Sequence, residues 1–385
     1  MILLTGGTGF LGAHLAAELA ARGNEVLLLA RSKTGHPAAD RVARLLDWLG
    51  VAEGPRKNIR VVEGRLDSPG LGLEPEALAA LAREIDEVVH CASSTSFAER
   101  KRSEVEAVNL DGLRRILDVA GLRPCRRFHL ISTAYVAGRT TGLCPETLVR
   151  PPAFTNIYEE SKCRAEWLAG ERCAALGISL TIYRPSIVYG HSETGRSLLF
   201  NALYYPVRTA LFLKRLCEAD IRERDGRKAA DLGVRLDADG WTVMPIRIRV
   251  EEGGGINIIP IDFFVRAFQA IREGTVDGVF HIVNSRPTRL ADIIAYTQSL
   301  FRIRGITAGA PRGTETGLRN ALEAVYDAYL EAYAPYMDDK RLFSAERSGP
   351  ILDRARLRCP DLTYDSFKRC LDYAVQCDWG ARLFA

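Results

Sequence analysis

The chain has 385 residues, 47% of them hydrophobic and 26% charged, which suits a soluble globular protein with one nucleotide-binding core and room for a second lobe. Its 52 basic and 48 acidic residues leave a net charge of +4, too balanced to imply nucleic-acid binding, and no run of eighteen apolar residues is present to make an integral membrane protein. The nine cysteines form no close CxxC pair, so reduced thiols, no metal site and a cytoplasmic location are expected.

The opening reads as strand, glycine turn, helix and strand: Ile2 to Thr5, Gly6 to Gly9, Phe10 to Arg22 with Leu11, Leu15 and Leu19 at helical spacing, then Glu25 to Ala30. With Met1 to Thr5 already a strand, no export signal is expected. Further apolar runs at Ile59 to Val62, Glu87 to His90, Phe128 to Ser132 and Ser179 to Tyr183 are each separated by enough chain for a helix, as a parallel sheet requires. The fold class is therefore α/β, a Rossmann-type doubly wound parallel sheet with a smaller, largely helical substrate-binding lobe. Residues 1–190 are assigned to the core, to which the chain returns at about 255–300 through a strand at Gly278 to Asn284. Residues 191–254 and 301–385 are assigned to the lobe, with an aromatic-rich helix near Leu198 to Leu216, a charged segment from Glu218 to Lys228, a strand over Ile246 to Val250 before Gly253 to Gly255, and a helical C-terminal part from about Leu290.

Gly6, Gly9 and Gly12 form GxxGxxG between the first strand and helix, where missing Cβ atoms let backbone amides and the helix N-terminus approach a pyrophosphate. The bland alternative is a tight turn without a ligand. Where an acidic residue ending the second strand would bind both ribose hydroxyls of NAD, this chain has Ala30, Arg31 and Ser32. Arg31 can pair with a 2′-phosphate, favouring NADPH over NADH, unless it is a solvated loop residue.

Tyr158 and Lys162 stand at i and i+4 on one helical face, preceded by Ser132 and Thr133 at the end of a strand. A free tyrosine titrates near 10, so a nearby ammonium is expected to lower it, with Thr133 holding the substrate oxygen in line. YxxxK alone is more often a surface pair, and its weight here comes from the glycine loop upstream and the hydroxyl-bearing strand end.

Together TGGTGFLG (Thr5 to Gly12), HCAS (His90 to Ser93), Asn109, STAYVAG (Ser132 to Gly138), YEESK (Tyr158 to Lys162) and RPSIVYG (Arg184 to Gly190) resemble the extended short-chain dehydrogenase/reductases over about half of the chain. Within them the chain is most similar to thioester reductases and fatty acyl-CoA reductases, through GRLDSPGLGL (Gly64 to Leu73), NIYEESKCRAE (Asn156 to Glu166), IPIDFFVRA (Ile259 to Ala267) and YAPYM (Tyr333 to Met337). The resemblance implies catalysis by Thr133, Tyr158 and Lys162, with Ser132 one step too early. It implies cofactor contacts from Gly6, Thr8, Gly9, Phe10, Leu11, Gly12, Arg31, Leu66, Cys91, Ala92, Ser93, Lys162, Pro185, Ser186 and Val188. Arg65 stands where the family commonly has an adenine-contacting acidic residue.

The reaction it implies is NADPH-dependent reduction of an acyl thioester, held on coenzyme A or an acyl carrier protein, to an aldehyde or on to an alcohol. Rival readings are an extended-family enzyme acting on an alcohol, ketone or nucleotide sugar, and a non-catalytic NADPH-sensing protein, against which the intact Thr133, Tyr158 and Lys162 set argues. Arg247 and Arg249 could meet the phosphates of a coenzyme A or carrier arm, though a solvated strand face explains them more simply. Phe200, Tyr204, Tyr205 and Phe212 read as core packing before acyl tunnel, and His90 and His129 as packed strand residues.

Overall fold

Seven short runs rich in Val, Ile and Leu become the strands of one parallel sheet: β1 (Ile2–Thr5), β2 (Val26–Ala30), β3 (Ile59–Glu63), β4 (Glu87–His90), β5 (Arg127–Ile131), β6 (Ser179–Pro185) and β7 (Gly278–Ile282). Their spatial order is β7-β6-β5-β4-β1-β2-β3. The computed structural model describes residues 1–33, 35–123, 125–249, 255–274, 277–309, 319–337 and 339–384; the side chain of Arg249, and the expected strand end and glycine turn at Val250, Gly253 and Gly254, lie outside that description. Because alternate strand residues point to opposite faces, Leu4, Leu28 and Val89 enter one apolar cluster, while Leu3, Leu27 and Val88 enter another. Both faces are covered by helices. On the first lie α1 (Phe10–Ala21), α2 (Ala38–Leu49) and the later helix α5 (Ile261–Glu273); on the second lies α3 (Ile157–Leu176).

Running from β1 to β2 on one side and pairing β4 on the other, the sheet has its topological switch between β1 and β4. A crevice opens at such a point beyond the carboxyl ends of the strands, and the glycine loop, Cys91 and Thr133 all follow strand ends there.

A third apolar cluster gathers residues from Tyr189 to Cys377, built on α4 (Tyr204–Glu223) and α6 (Ala321–Leu330) over a small sheet. In that sheet Thr242–Arg249 pairs parallel with Ile303–Gly309 and antiparallel with Arg235–Leu236. This corrects two expectations. The C-terminal part is not purely helical, since Ile303–Gly309 is a strand supported by a partner some sixty residues earlier in the chain. The aromatic helix begins at Tyr204 and absorbs the charged segment as far as Glu223, leaving Leu198 and Leu199 in a loop. Farther on, Arg341–Phe343 pairs with Gly142–Cys144, tying the C-terminal segment to the chain just beyond the STAYVAG motif. No helix among the described residues is long and apolar enough to cross a membrane.

Candidate active site

The turn after β1 is tight enough to need glycine. Gly6 has φ +76, and a Cβ there would sit 2.6 Å from the Ala92 backbone nitrogen; one at Gly12 would collide with the Gly6 carbonyl. The loop closes with Gly9 N–H donating to Gly6 O at 2.9 Å, and α1 begins after Gly9 at its N-cap position with no side-chain cap and no acidic residue in its first turn. Its first amides are therefore left for an anion.

Beside this loop lies a cavity of about 760 Å³. Its wall includes Gly6, Thr8, Gly9, Phe10, Leu11, Gly12, Cys91, Ser93, Thr133, Tyr158, Lys162, Pro185, Ser186 and Val188, so the structure brings together fourteen of the residues singled out from sequence. Arg31, Leu66 and Ala92 are not in the wall. Ala92 backs the glycine loop, donating its N–H to Thr5 Oγ1 at 3.3 Å. Leu66 packs on Gly112 and accepts from Arg115 through its carbonyl at 2.8 Å, while Arg65 turns to Asp67 in a bidentate pair with both distances 2.9 Å. Arg31 is exposed, and Arg41 on α2 donates to its carbonyl at 2.5 Å. Burial and the charge of Arg31 together pull the Arg41 guanidinium below its ordinary value, so two cations are held together at the end of β2. Arg41 was missed because a helix, and not a motif, carries it there.

Thr133 and Tyr158 face each other across the cavity wall, where Thr133 Oγ1 accepts from the Tyr135 N–H at 3.3 Å and its hydroxyl offsets part of what burial does to the Tyr158 phenol. Ser132, the neighbour of Thr133, also lines the cavity, but its hydroxyl is taken up in donating to buried Glu166 at 2.6 Å. Glu166 in turn holds Arg184 through contacts of 2.9 and 2.6 Å, fixing α3 against β6 from inside the core. Asn109 fastens the HCAS loop to the same helix: it accepts from Ser94 N–H at 2.7 Å and donates to Ser161 Oγ at 2.9 Å.

Lys162 is buried and donates to the Ile131 carbonyl at 2.6 Å; burial lowers its ammonium to about 8 against the opposing pull of Cys91 and Glu166. The expected lowering of Tyr158 is not met. Burial pushes its phenol well above the ordinary range, outweighing the Thr133 hydroxyl, with Cys91 and Glu159 adding to the rise. Tyr158 is consequently a protonated donor at neutral pH. Cys91 is pushed up to about 12 by burial and stays a thiol, and His90, bonded to Thr5 Oγ1 at 2.9 Å, is lowered to about 3 by burial and the charge of Lys162, so it stays neutral. His129 bridges Tyr183 at 2.8 Å and Glu87 at 2.7 Å within the strand core.

Sequence reasoning missed the aromatic roof. Phe97 stands 6.1 Å from Tyr158 between ring centroids and contacts Tyr333 and Tyr336 at 5.8 and 5.7 Å. Tyr336 is anchored by donating to Glu159 at 2.7 Å and accepting from Asn156 at 2.6 Å, residues at the start of α3, the helix that carries Tyr158 and Lys162. The YAPYM signal was therefore present, but as a likeness and not as a wall. Of the lobe aromatics, Phe200 and Tyr204 are core, Tyr205 packs on Tyr333 at 5.1 Å, and Phe212 is exposed. The Arg247 side chain is 40% accessible. It grips buried Glu323 of α6 at 2.7 and 2.9 Å.

These residues fit a nicotinamide dinucleotide. The glycine cradle and bare helix start suit its pyrophosphate, and Ser186 Oγ is buried in the cavity wall with no hydrogen-bond partner, as expected of a group awaiting one. Among the described residues no group of His, Cys, Asp or Glu is placed to hold a metal ion.

Residues 4–268 match an NAD-binding family described as "Male sterility protein". Isonitrile lipopeptide synthase from Streptomyces coeruleorubidus is 34% identical over 97% of this chain, which spans only 24% of that relative's length. The terminal R domain from the myxalamid PKS-NRPS biosynthetic pathway superposes with a TM-score of 0.74 at 21% identity, covering 98% of this chain and 91% of that one. A thiolation-reductase di-domain from an archaeal non-ribosomal peptide synthetase gives 0.70 at 18% identity over 98% and 76%. UDP-glucuronic acid 4-epimerase from Bacillus cereus gives 0.63 at 17% over 97% and 99%; these structural likenesses speak to the fold alone. The family match covers well over half of the chain, and with it the conclusion is that this protein belongs to the NAD-binding family described as male sterility protein.

Proposed function

We propose that the chain is an NADPH-dependent reductase of an acyl thioester carried on a carrier protein or coenzyme A, releasing an aldehyde. The observation that carries this reading is that Thr133, Tyr158 and Lys162 line one largely apolar cavity whose other end is the glycine loop. NADPH, when bound, supplies the hydride. Gly6, Gly9 and Gly12 with the start of α1 would hold its pyrophosphate, Arg31 with Arg41 its 2′-phosphate, and Lys162, Pro185 and Ser186 its nicotinamide end.

Both hydroxyls would donate to the thioester carbonyl oxygen, stabilising the negative charge that develops there; such preorganised donors supply the largest part of many rate enhancements. Tyr158, kept protonated by burial, would hand its proton to that oxygen, and Lys162 would hold the charge left behind. The resulting hemithioacetal loses its thiol to give the aldehyde. A long acyl chain would lie along Leu198, Leu203 and Tyr333, in a lobe formed by 191–254 and 301–385. The relative's size, about four times this chain, supports a carrier-bound substrate.

The test follows NADPH oxidation together with free-thiol release from acyl-pantetheine and acyl-CoA thioesters, with NADH as control. One thiol per NADPH is the expected result; oxidation that needs an alcohol, ketone or nucleotide sugar in place of a thioester would overturn it.

A further inference from the structure

Helix α6 buries Leu322, Tyr326 and Leu330 in the third cluster together with Glu323, which is bonded to Arg247, and its half-exposed Asp327 is tied to Arg319 at 2.9 Å, yet its outward face is Ala321, Ala324, Val325, Ala328 and Tyr329. A surface helix ordinarily carries charged and polar residues on that face. Across from it α4 exposes Phe212 and Leu216, 51% and 55% accessible, with the Phe212 ring 6.3 Å from that of Tyr329. Two helices thus build one apolar patch, of the kind that marks a binding surface on a soluble protein.

The patch adjoins the active site. Pro206 near the start of α4 and Ala332 just after α6 are both in the cavity wall, and Phe212 stands six residues beyond Pro206, about 9 Å along the helix. Its rim is basic. Arg208 and Arg215 are exposed on the Phe212 face and have no ion-pair partner among the described residues, whereas Glu218 on the same helix is taken up by Lys214 at 2.5 Å and Thr242 at 2.6 Å.

We infer that this face docks the acidic, helical carrier protein that presents the thioester on its flexible arm, an assignment that rests on the proposed thioester chemistry. An apolar centre positions the carrier's helix, and the arginines steer its acidic surface. A second copy of this chain is the wrong occupant: two-fold pairing would bring the same basic rim onto itself.

The test uses the full chain and a fluorescein-labelled acidic acyl carrier protein bearing its phosphopantetheine, with anisotropy read at low and high salt. Binding that weakens with salt is expected. It should weaken further by about tenfold in Phe212→Asp/Leu216→Asp and in Arg208→Glu/Arg215→Glu, with NADPH oxidation on acyl-pantetheine unchanged in both variants. No binding by the wild type, or equal binding by both variants, overturns the surface. So does light scattering that finds a dimer abolished by Phe212→Asp. Failure of the thioester chemistry itself shows separately, as a wild type that binds the carrier yet reduces no acyl-pantetheine.

Discussion

Two glutamates, Glu166 in the core and Glu323 in the lobe, do the same mechanical work under different conditions. Each is buried on a helix and grips an arginine on a strand, Arg184 for one and Arg247 for the other. The Arg184 side chain is 2% accessible and that of Arg247 is 40%. Water can therefore replace the lobe pair's partner but not the core pair's, and the core pair alone touches a residue beside the reaction, Ser132. The chemistry end of the molecule is locked from inside, whereas the substrate end is latched from outside.

The largest effect should come from the locked end. Tyr158→Phe removes the hydroxyl that shares the cavity wall with Thr133 and Lys162 and is expected to cost about 10²–10⁴-fold in kcat. NADPH affinity, measured by fluorescence titration, should change by less than about twofold. Near-normal turnover would take the proton from Tyr158 and reassign it.

That centre was legible in the sequence because short-range motifs carry it. Glycine spacing, a hydroxyl at a strand end and an i,i+4 pair each survive without knowledge of the rest of the chain. The roof was not legible, since Phe97, Tyr333 and Tyr336 come from segments far apart and meet only through tertiary packing. The strand Ile303–Gly309 escaped for a similar reason. Its Gly305, at φ +92, is held close to the Met244 carbonyl of its partner strand, and glycine inside a run reads as a break. Arg41 needed the turn between β2 and α2 to bring it to Arg31.

Next in size is Glu166→Gln, which leaves the Arg184 charge buried without its counterion and should lower unfolding free energy by about 3–5 kcal/mol, read from urea melts. A loss under about 1 kcal/mol would show that the Pro145 and Thr147 carbonyls, which also accept from Arg184, suffice to hold the charge.

Smaller still are the cofactor effects. Arg31→Ala and Arg41→Ala should each raise KM for NADPH by about tenfold while leaving that for NADH unchanged, as loss of one charge-assisted contact to a phosphate implies. An equal rise for both cofactors would mean the arginines shape the loop instead. In the same assays kcat/KM should fall as pH rises through about 8, where Lys162 loses its proton because burial has already lowered it; at pH 9 it should be about tenfold below its value at pH 7. A flat profile to pH 9 would remove Lys162's charge from the mechanism.

Glu323→Gln should do least to stability and most to distinguish the two ends. Burial pushes the Glu323 carboxyl up, yet its hydrogen bonds to Arg247 and the Asn320 and Arg247 backbones win and draw it down to about 2, so the ionised form is the one that latches α6. A neutral amide keeps the cap on Asn320 N–H but weakens the grip on an arginine that water can already reach, a loss of about 1 kcal/mol. Because α6 leads into Ala332 and Tyr333 of the cavity wall, a loosened latch should raise KM for the acyl thioester while kcat at saturation and NADPH affinity stay near wild type. A variant that instead unfolds as Glu166→Gln does would show that the lobe is locked from inside as well.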